Sequence, residues 1–343
     1  MFFTSDNASG AAPEILAALA RANDGFARSY GADDIMARVT AQIRKLFDHN
    51  EAAVYLVSTG TAANSLALAL YARPWTAVFA HTDAHIAVDE CGAPEFYTDG
   101  AKMIGVPGDH GKMTPQSLTQ AAGKIGQSGV HGVQRGIVSI TNVTEAGTVY
   151  TPAEVAELTA IAKSNGLPCH LDGARFANAL VATKSTAADM TWKAGIDVVS
   201  FGGTKNGCLG VEAVVIFDPV KAWEFELRRK RGGHLLSKHR FLSAQIEAYL
   251  TDDLWLRLAR QANAMGARLA QGIDDIPHAR LMHPTPANML FAEWATGTHA
   301  RAEAKGAAYY QWAAPAGREA ARLVASWNTT AAEVDGLLAV LRG

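Results

Sequence analysis

Cysteine is scarce in this chain of 343 residues: only Cys91, Cys169 and Cys208 occur, far apart in sequence. No two stand at metal-ligand spacing and three cannot pair off, so the count argues against a zinc site and a disulfide-stapled scaffold, and it suits a reducing compartment. An excess of one charge is missing too. Lys and Arg number 31 against 33 Asp and Glu, a formal net charge of −2. The one dense basic run is Arg228–Arg231, which gives a nucleic-acid partner little electrostatic footing and reads instead as meeting a phosphate or a neighbouring subunit. No apolar run approaches the roughly 20 residues a membrane-spanning helix needs. The N-terminus reaches Asp6 at once, without the basic flank and apolar stretch of a signal peptide, so a cytoplasmic location is expected. What remains is 49% apolar, enough for a large core and two domains.

Periodicity predicts helices over Pro13–Ala22 and Asp33–Phe47, with Ser29-Tyr30-Gly31 as the loop between them. Short apolar strands then alternate with helical stretches: Ala53–Leu56, Ala77–Ala80, Lys102–Val106, Gly136–Ile140, Cys169–Leu171, Val198–Phe201 and Ala213–Phe217. Such alternation implies an α/β fold with a mostly parallel sheet covered by helices. Helices dominate from Ala222, and Ala287–Phe291 and Glu319–Val324 read as strands of a smaller α+β domain. The expected division is 1–245 and 246–343.

Four segments carry chemistry. In Asp197–Gly207 an apolar strand ends in a Gly pair, Thr204 and a single Lys205. A partly desolvated lysine there is suited to forming a Schiff base, and Ser200 and Thr204 offer hydroxyls to a phosphate. The alternative is a surface lysine in a Gly-rich turn. In Pro168–Arg175, Asp172 stands just past a strand end, where ligands of open α/β sheets gather. Its carboxylate can pair with a protonated pyridine nitrogen, or it is a helix cap paired with Arg175. Ser58-Thr59-Gly60-Thr61 follows a strand and opens a helix, a cradle for phosphate or an ordinary capped start. His81 and His85 follow the next strand and can stack on a planar ring or shuttle a proton. No metal-binding cluster is expected.

In this order and at these separations, the segments resemble the low-specificity threonine aldolases of the fold-type-I pyridoxal phosphate enzymes. Ser5-Asp6-Asn7, Ser29-Tyr30-Gly31, Gly60-Thr61, His85, Thr144–Tyr150, Leu171–Arg175, Lys205 and Arg322–Trp327 match family features from end to end. The resemblance implies the aspartate aminotransferase fold, pyridoxal 5'-phosphate as cofactor, and cleavage of β-hydroxy-α-amino acids to glycine and an aldehyde. It assigns Lys205 to the cofactor linkage, Asp172 to the pyridine nitrogen, and Arg175 to the ring hydroxyl or substrate carboxylate. His85 stacks on the ring, and Thr59, Gly60 and Thr61 bind phosphate. Ser5, Tyr30 and Arg322 hold substrate, and Arg231 or Lys238 reaches the phosphate of a neighbouring subunit. The general base is His85, His131 in the Gly-rich stretch 126–136, or a phosphate-bound water. A homotetramer with active sites at subunit boundaries is expected. Another lyase, a racemase or an aminotransferase uses the same lysine and aspartate. A non-catalytic cofactor-binding relative is opposed by the retention of Lys205, Asp172, Arg175 and Arg322.

Overall fold

Seven strands form the central sheet of the computed structural model, which describes residues 1–343. They are β1 (Ala53–Val57), β2 (Thr76–His81), β3 (Lys102–Val106), β4 (Gln134–Thr141), β5 (Cys169–Gly173), β6 (Val198–Gly202) and β7 (Glu212–Ile216), in spatial order β1-β7-β6-β5-β4-β2-β3. β2, β5, β6 and β7 are buried along their whole length, as strands covered on both faces must be, which is why they read as near-continuous apolar runs. β3, at the edge, leaves Lys102 in solvent.

β7 alone runs against the others, pairing antiparallel with both β1 and β6. All the remaining strands therefore end at one edge of the sheet, and β7 begins there. Gly173 and Gly202 end β5 and β6 for a steric reason: a Cβ on Gly202 would collide with the Ala174 carbonyl, and one on Gly173 would lie 2.7 Å from the Ser200 carbonyl.

Helices α1 (Pro13–Ala22) and α2 (Asp34–Leu46) lie where periodicity puts them, Asp33 serving as the cap that accepts from Met36 N–H at 2.9 Å. Helix α3 (Gly60–Ala69) is buried from Ala62 onward, its small residues allowing close approach to the sheet.

A second, antiparallel sheet has the order β10-β11-β9-β8, with β8 (Arg280–Leu281), β9 (Met289–Ala295), β10 (Tyr310–Trp312) and β11 (Arg318–Val324). β8 and β10 are too short to show a period in sequence. Residue 245, near which the chain was expected to divide, falls inside the helix Arg240–Leu250. The next long helix, Leu254–Asp274, places Trp255 and Leu258 in the large core and Leu269 and Ile273 in the smaller one. The first residues, at the start of the span expected to form the larger unit, join the second sheet instead. Phe3 N–H donates to Ala308 O at 2.7 Å, and Val324 N–H donates to Phe3 O at 2.9 Å.

Under the central sheet Phe176 stacks on Phe47 with ring centroids 5.8 Å apart and meets Phe201 edge-on at 5.5 Å. Phe176→Ala should lower stability by about 3–5 kcal/mol through transfer loss and the cavity left behind, read as a fall in the urea midpoint of unfolding.

Candidate active site

A cavity of about 250 Å³ opens at the edge where the parallel strands end. The turns after β1, β2, β4, β5 and β6 line it with Ser58–Thr61, His85 and Glu90, Glu145, Asp172 and Ala174, and Thr204 and Lys205, while β7 contributes its first residue, Glu212. Thr59 caps α3 by accepting from Ala62 N–H at 3.1 Å. Gly60 and Thr61 occupy the first turn, whose amides have no partner inside the helix, so they offer donors and the positive end of the dipole to an anion.

Asp172 is buried and held in orientation. Its Oδ1 accepts from Ala174 N–H and its Oδ2 from Asn64 Nδ2, both at 3.1 Å. Asn64 Nδ2 also donates to Glu90 Oε1 at 3.0 Å, and that oxygen contacts His85 Nδ1 at 2.8 Å. One hydrogen-bonded chain thus runs from Asp172 to His85. The Glu90 bond raises the His85 pKa above its ordinary value against the opposing effect of burial. Beneath Lys205, the Glu212 carboxylate accepts from Gly203 N–H at 2.8 Å, and burial pushes its pKa up to about 7. The charge of Lys205 acts on Asp6, His85 and Glu212 together.

Arg175 is also buried, and its partner is Asp6. Nε donates to Oδ2 at 2.7 Å and Nη2 to Oδ1 at 3.0 Å, while Asn288 donates to Oδ2 at 3.1 Å. Burial by itself would raise the Asp6 pKa, but the charge and hydrogen bonds of Arg175 outweigh it and hold the carboxyl below its usual range. The expected partners of Arg175, a ring hydroxyl or a substrate carboxylate, therefore meet a guanidinium with two of its N–H directions already taken. Arg322 is less engaged: Nη2 donates to Thr4 O at 3.2 Å, the cation lies 4.8 Å from the Tyr310 ring centre, and the buried Nε has no partner. Burial and then the like charge of Arg175 lower its pKa. Ser5 Oγ accepts from Asn7 N–H at 3.1 Å, capping the single turn Asp6–Ala8.

Other expected residues lie elsewhere. His131 is exposed in the turn before β4, at the opposite end of an eight-residue strand, which at about 3.3 Å per residue separates it from the cavity edge by roughly 25 Å. It does not close over the site of its own chain. Tyr30, Arg231 and Lys238 are exposed and also outside the cavity. Tyr30 N–H bonds Ser237 O at 3.1 Å and the Lys230 ammonium sits over its ring, while Arg231 lines a separate surface hollow with Phe96, Tyr97 and Leu227. Ser200, expected at the phosphate, is buried on the sheet face that also carries Asp172 but does not line the cavity; its hydroxyl contacts His170 Nε2 at 3.0 Å. Thr204 Oγ1 lines the cavity but accepts from Val211 N–H at 3.1 Å. The motif reading missed Asn64, Glu90, His170 and Glu212. A polar residue inside the apolar run of α3 was the available signal for Asn64, whereas Glu90 lies five residues from His85, a spacing no helical rule pairs.

The residues fit pyridoxal phosphate. An amine, a fixed carboxylate for a ring nitrogen and an anion-binding helix start surround one cavity, and Arg322, on which the charge of cavity-lining Glu145 acts, has a buried nitrogen without a partner. Fold and site together define a pyridoxal phosphate enzyme of the fold-type-I class. The chain belongs to the β-eliminating lyase family, whose model matches residues 3–295. It is 42% identical to a low specificity L-threonine aldolase of Pseudomonas sp. over 340 residues, 99% of this chain and 96% of that protein. A protein of the same name from Pseudomonas aeruginosa is 40% identical with the same coverage. The solved structure of Leishmania major threonine aldolase superposes with a TM-score of 0.94 at 31% identity, covering 99% of this chain and 98% of that one. Sphingomonas wittichii serine palmitoyltransferase, at 16% identity and a TM-score of 0.71 over 100% of this chain and 86% of that one, shares the fold. No helix is long and apolar enough to cross a membrane.

Two stability predictions follow from the charges around this cavity. Asp6→Asn leaves Arg175 buried without its counter-charge and should cost about 3–5 kcal/mol, measured by denaturant unfolding with cofactor absent. His170 bonds Ser139 and Ser200, and burial pushes its pKa down to about 4 from 6.5. The unfolded chain therefore takes up this proton first. Its effect on stability is nil above 6.5 and grows to roughly 3 kcal/mol of destabilisation as pH falls to 4. His170→Gln should flatten the pH dependence of the unfolding free energy over that window.

Proposed function

We propose that this chain cleaves L-β-hydroxy-α-amino acids, L-threonine, L-allo-threonine and L-phenylserine among them, to glycine and an aldehyde by a retro-aldol reaction. The observation that carries the proposal is the convergence of Lys205, Asp172 and His85 on one cavity, with Arg322 near enough to Arg175, Glu145 and Asp6 for their charges to act on it and its Nε without a partner. The names of the two Pseudomonas relatives support the same reaction.

Bound pyridoxal phosphate supplies the sink for the electron pair released at Cα. Lys205 Nζ anchors the cofactor, Asp172 pairs with its ring nitrogen, and the amides of Gly60 and Thr61 receive its phosphate, with the Thr59 and Thr204 hydroxyls alongside. Asn64 and Ala174 keep the Asp172 carboxylate fixed in place. Arg322 receives the substrate carboxylate, helped by the Ser5 hydroxyl. Arg175, tied to Asp6, supplies positive charge to the same corner. Holding the carboxylate there would fix which of the bonds at Cα is the one to break. His85 lines the cavity and takes the β-hydroxyl proton; the O–H pair becomes the second bond of the aldehyde C=O, and the Cα–Cβ pair stays with Cα, which is then protonated to give glycine.

The exposed group of Tyr30, Arg231 and Lys238 supports a homotetramer in which these residues complete a neighbouring subunit's cavity. A cytoplasmic location belongs to the same proposal.

Purified protein given pyridoxal phosphate should develop a visible absorbance band and release acetaldehyde and glycine in equal amounts from L-threonine. Lys205→Ala should lose both the band and the products. Arg322→Ala should keep the band and raise KM about 10- to 100-fold, the effect of losing a charged hydrogen bond. A band without aldehyde from any of the three substrates would overturn the reaction; no band at all would overturn the cofactor site.

A further inference from the structure

Glu90 has no part in the chemistry described so far, yet its side chain is sealed from solvent and lines the catalytic cavity. A carboxylate placed there without a role would be expensive to bury. Two N–H donors converge on one of its oxygens: His85 Nδ1 at 2.8 Å and Asn64 Nδ2 at 3.0 Å. Its other oxygen, Oε2, is buried with no partner. An ionised carboxylate only accepts, so His85 must carry its proton on Nδ1, and Nε2, 3.7 Å from the exposed Asp89 carboxylate, is the nitrogen left to take up another. Asn64 faces carboxylates on both sides, Glu90 and Asp172, and so separates two negative charges with a neutral donor.

We infer that Glu90 is a positioning residue of the reaction: it fixes the tautomer of His85, and through Asn64 it ties that imidazole to Asp172. The logic is that of an acid orienting a histidine, in which the acid need never accept the proton itself. The inference rests on His85 taking the substrate proton, as proposed above. The charged groups around the imidazole come from four segments: Asp89 and Glu90 beyond its own helical turn, Glu145 after β4, Asp172 at the end of β5, and Lys205 after β6. Of these, Glu90 alone is hydrogen-bonded to the ring.

The test uses Glu90→Gln and Glu90→Asp. Gln keeps an accepting oxygen but removes the negative charge that holds the imidazole basic, so kcat should fall about 100-fold, while Asp, which keeps that charge, should recover to within about tenfold of the parent. The acidic limb of kcat/KM against pH marks His85 losing its base form as pH falls. In Glu90→Gln it should move about one unit lower, since the partner that raised the imidazole pKa is gone. The same shift should appear in an NMR titration of His85 in cofactor-free protein, which reads the imidazole without turnover. A titration and an acidic limb that stay in place in Glu90→Gln overturn the inference; should that variant not fold, an unshifted titration in Glu90→Ala, which also removes the carboxylate, does so. His85→Asn separates the two ideas. If it keeps the acidic limb, the reading of His85 as base falls; if it removes the limb while Glu90→Gln leaves it unmoved, only the role of Glu90 falls.

Discussion

The arrangement depends first on a buried ion pair. Asp6 arrives from the N-terminal segment, Arg175 from the turn after β5, and Asn288 from just before β9, so one carboxylate joins three distant parts of the chain. Two opposite charges out of water are tolerable only when every hydrogen-bonding direction is met, and the bidentate geometry with the Asn288 amide comes close to that. The pair also decides what the neighbouring arginine can do. With two donors of Arg175 taken by Asp6, Arg322 is the neighbouring guanidinium whose buried Nε has no partner.

The remaining polar groups follow from sheet direction. Five parallel strands deliver their final turns to one edge, and the reversal at β7 adds Glu212 at the same place. In a water-poor setting these charges are strongly coupled, which is why Lys205 acts at once on Asp6, His85 and Glu212. Small residues along α3 and at the ends of β5 and β6 let the backbone come close enough for Asn64 to span Glu90 and Asp172.

The seven central strands were legible because burial on both faces leaves an apolar run in the sequence, and Lys205 and Asp172 because each interrupts such a run at its end. What sequence did not disclose was pairing. Asp6 and Arg175 are 169 positions apart, and nothing local distinguishes an acid that neutralises an arginine from one that caps a turn. Glu90 stood in plain view beside His85, but its link to Asn64 exists only once α3 lies against β5. His131 drew attention by sitting in a glycine-rich stretch, a signal that says nothing about which end of a strand the stretch adjoins. Tyr30, Arg231 and Lys238 are exposed and lie outside the cavity, and no local pattern in the sequence shows on which side of the sheet a loop residue will fall.

His170 has a mechanical meaning apart from its titration. Its two ring nitrogens reach Ser139 on β4 and Ser200 on β6, making a rigid crossbar under three adjacent strands. Main-chain ladders let strands shear by small amounts, because each bond tolerates some slant; a planar ring wedged between two hydroxyls does not stretch. These two side-chain bonds add to the main-chain ladders that already hold β4, β5 and β6 at their spacing. The strands that carry Asp172 and lead to Lys205 are thus braced by a part lying wholly outside the cavity, as the bed of an instrument braces what is mounted on it.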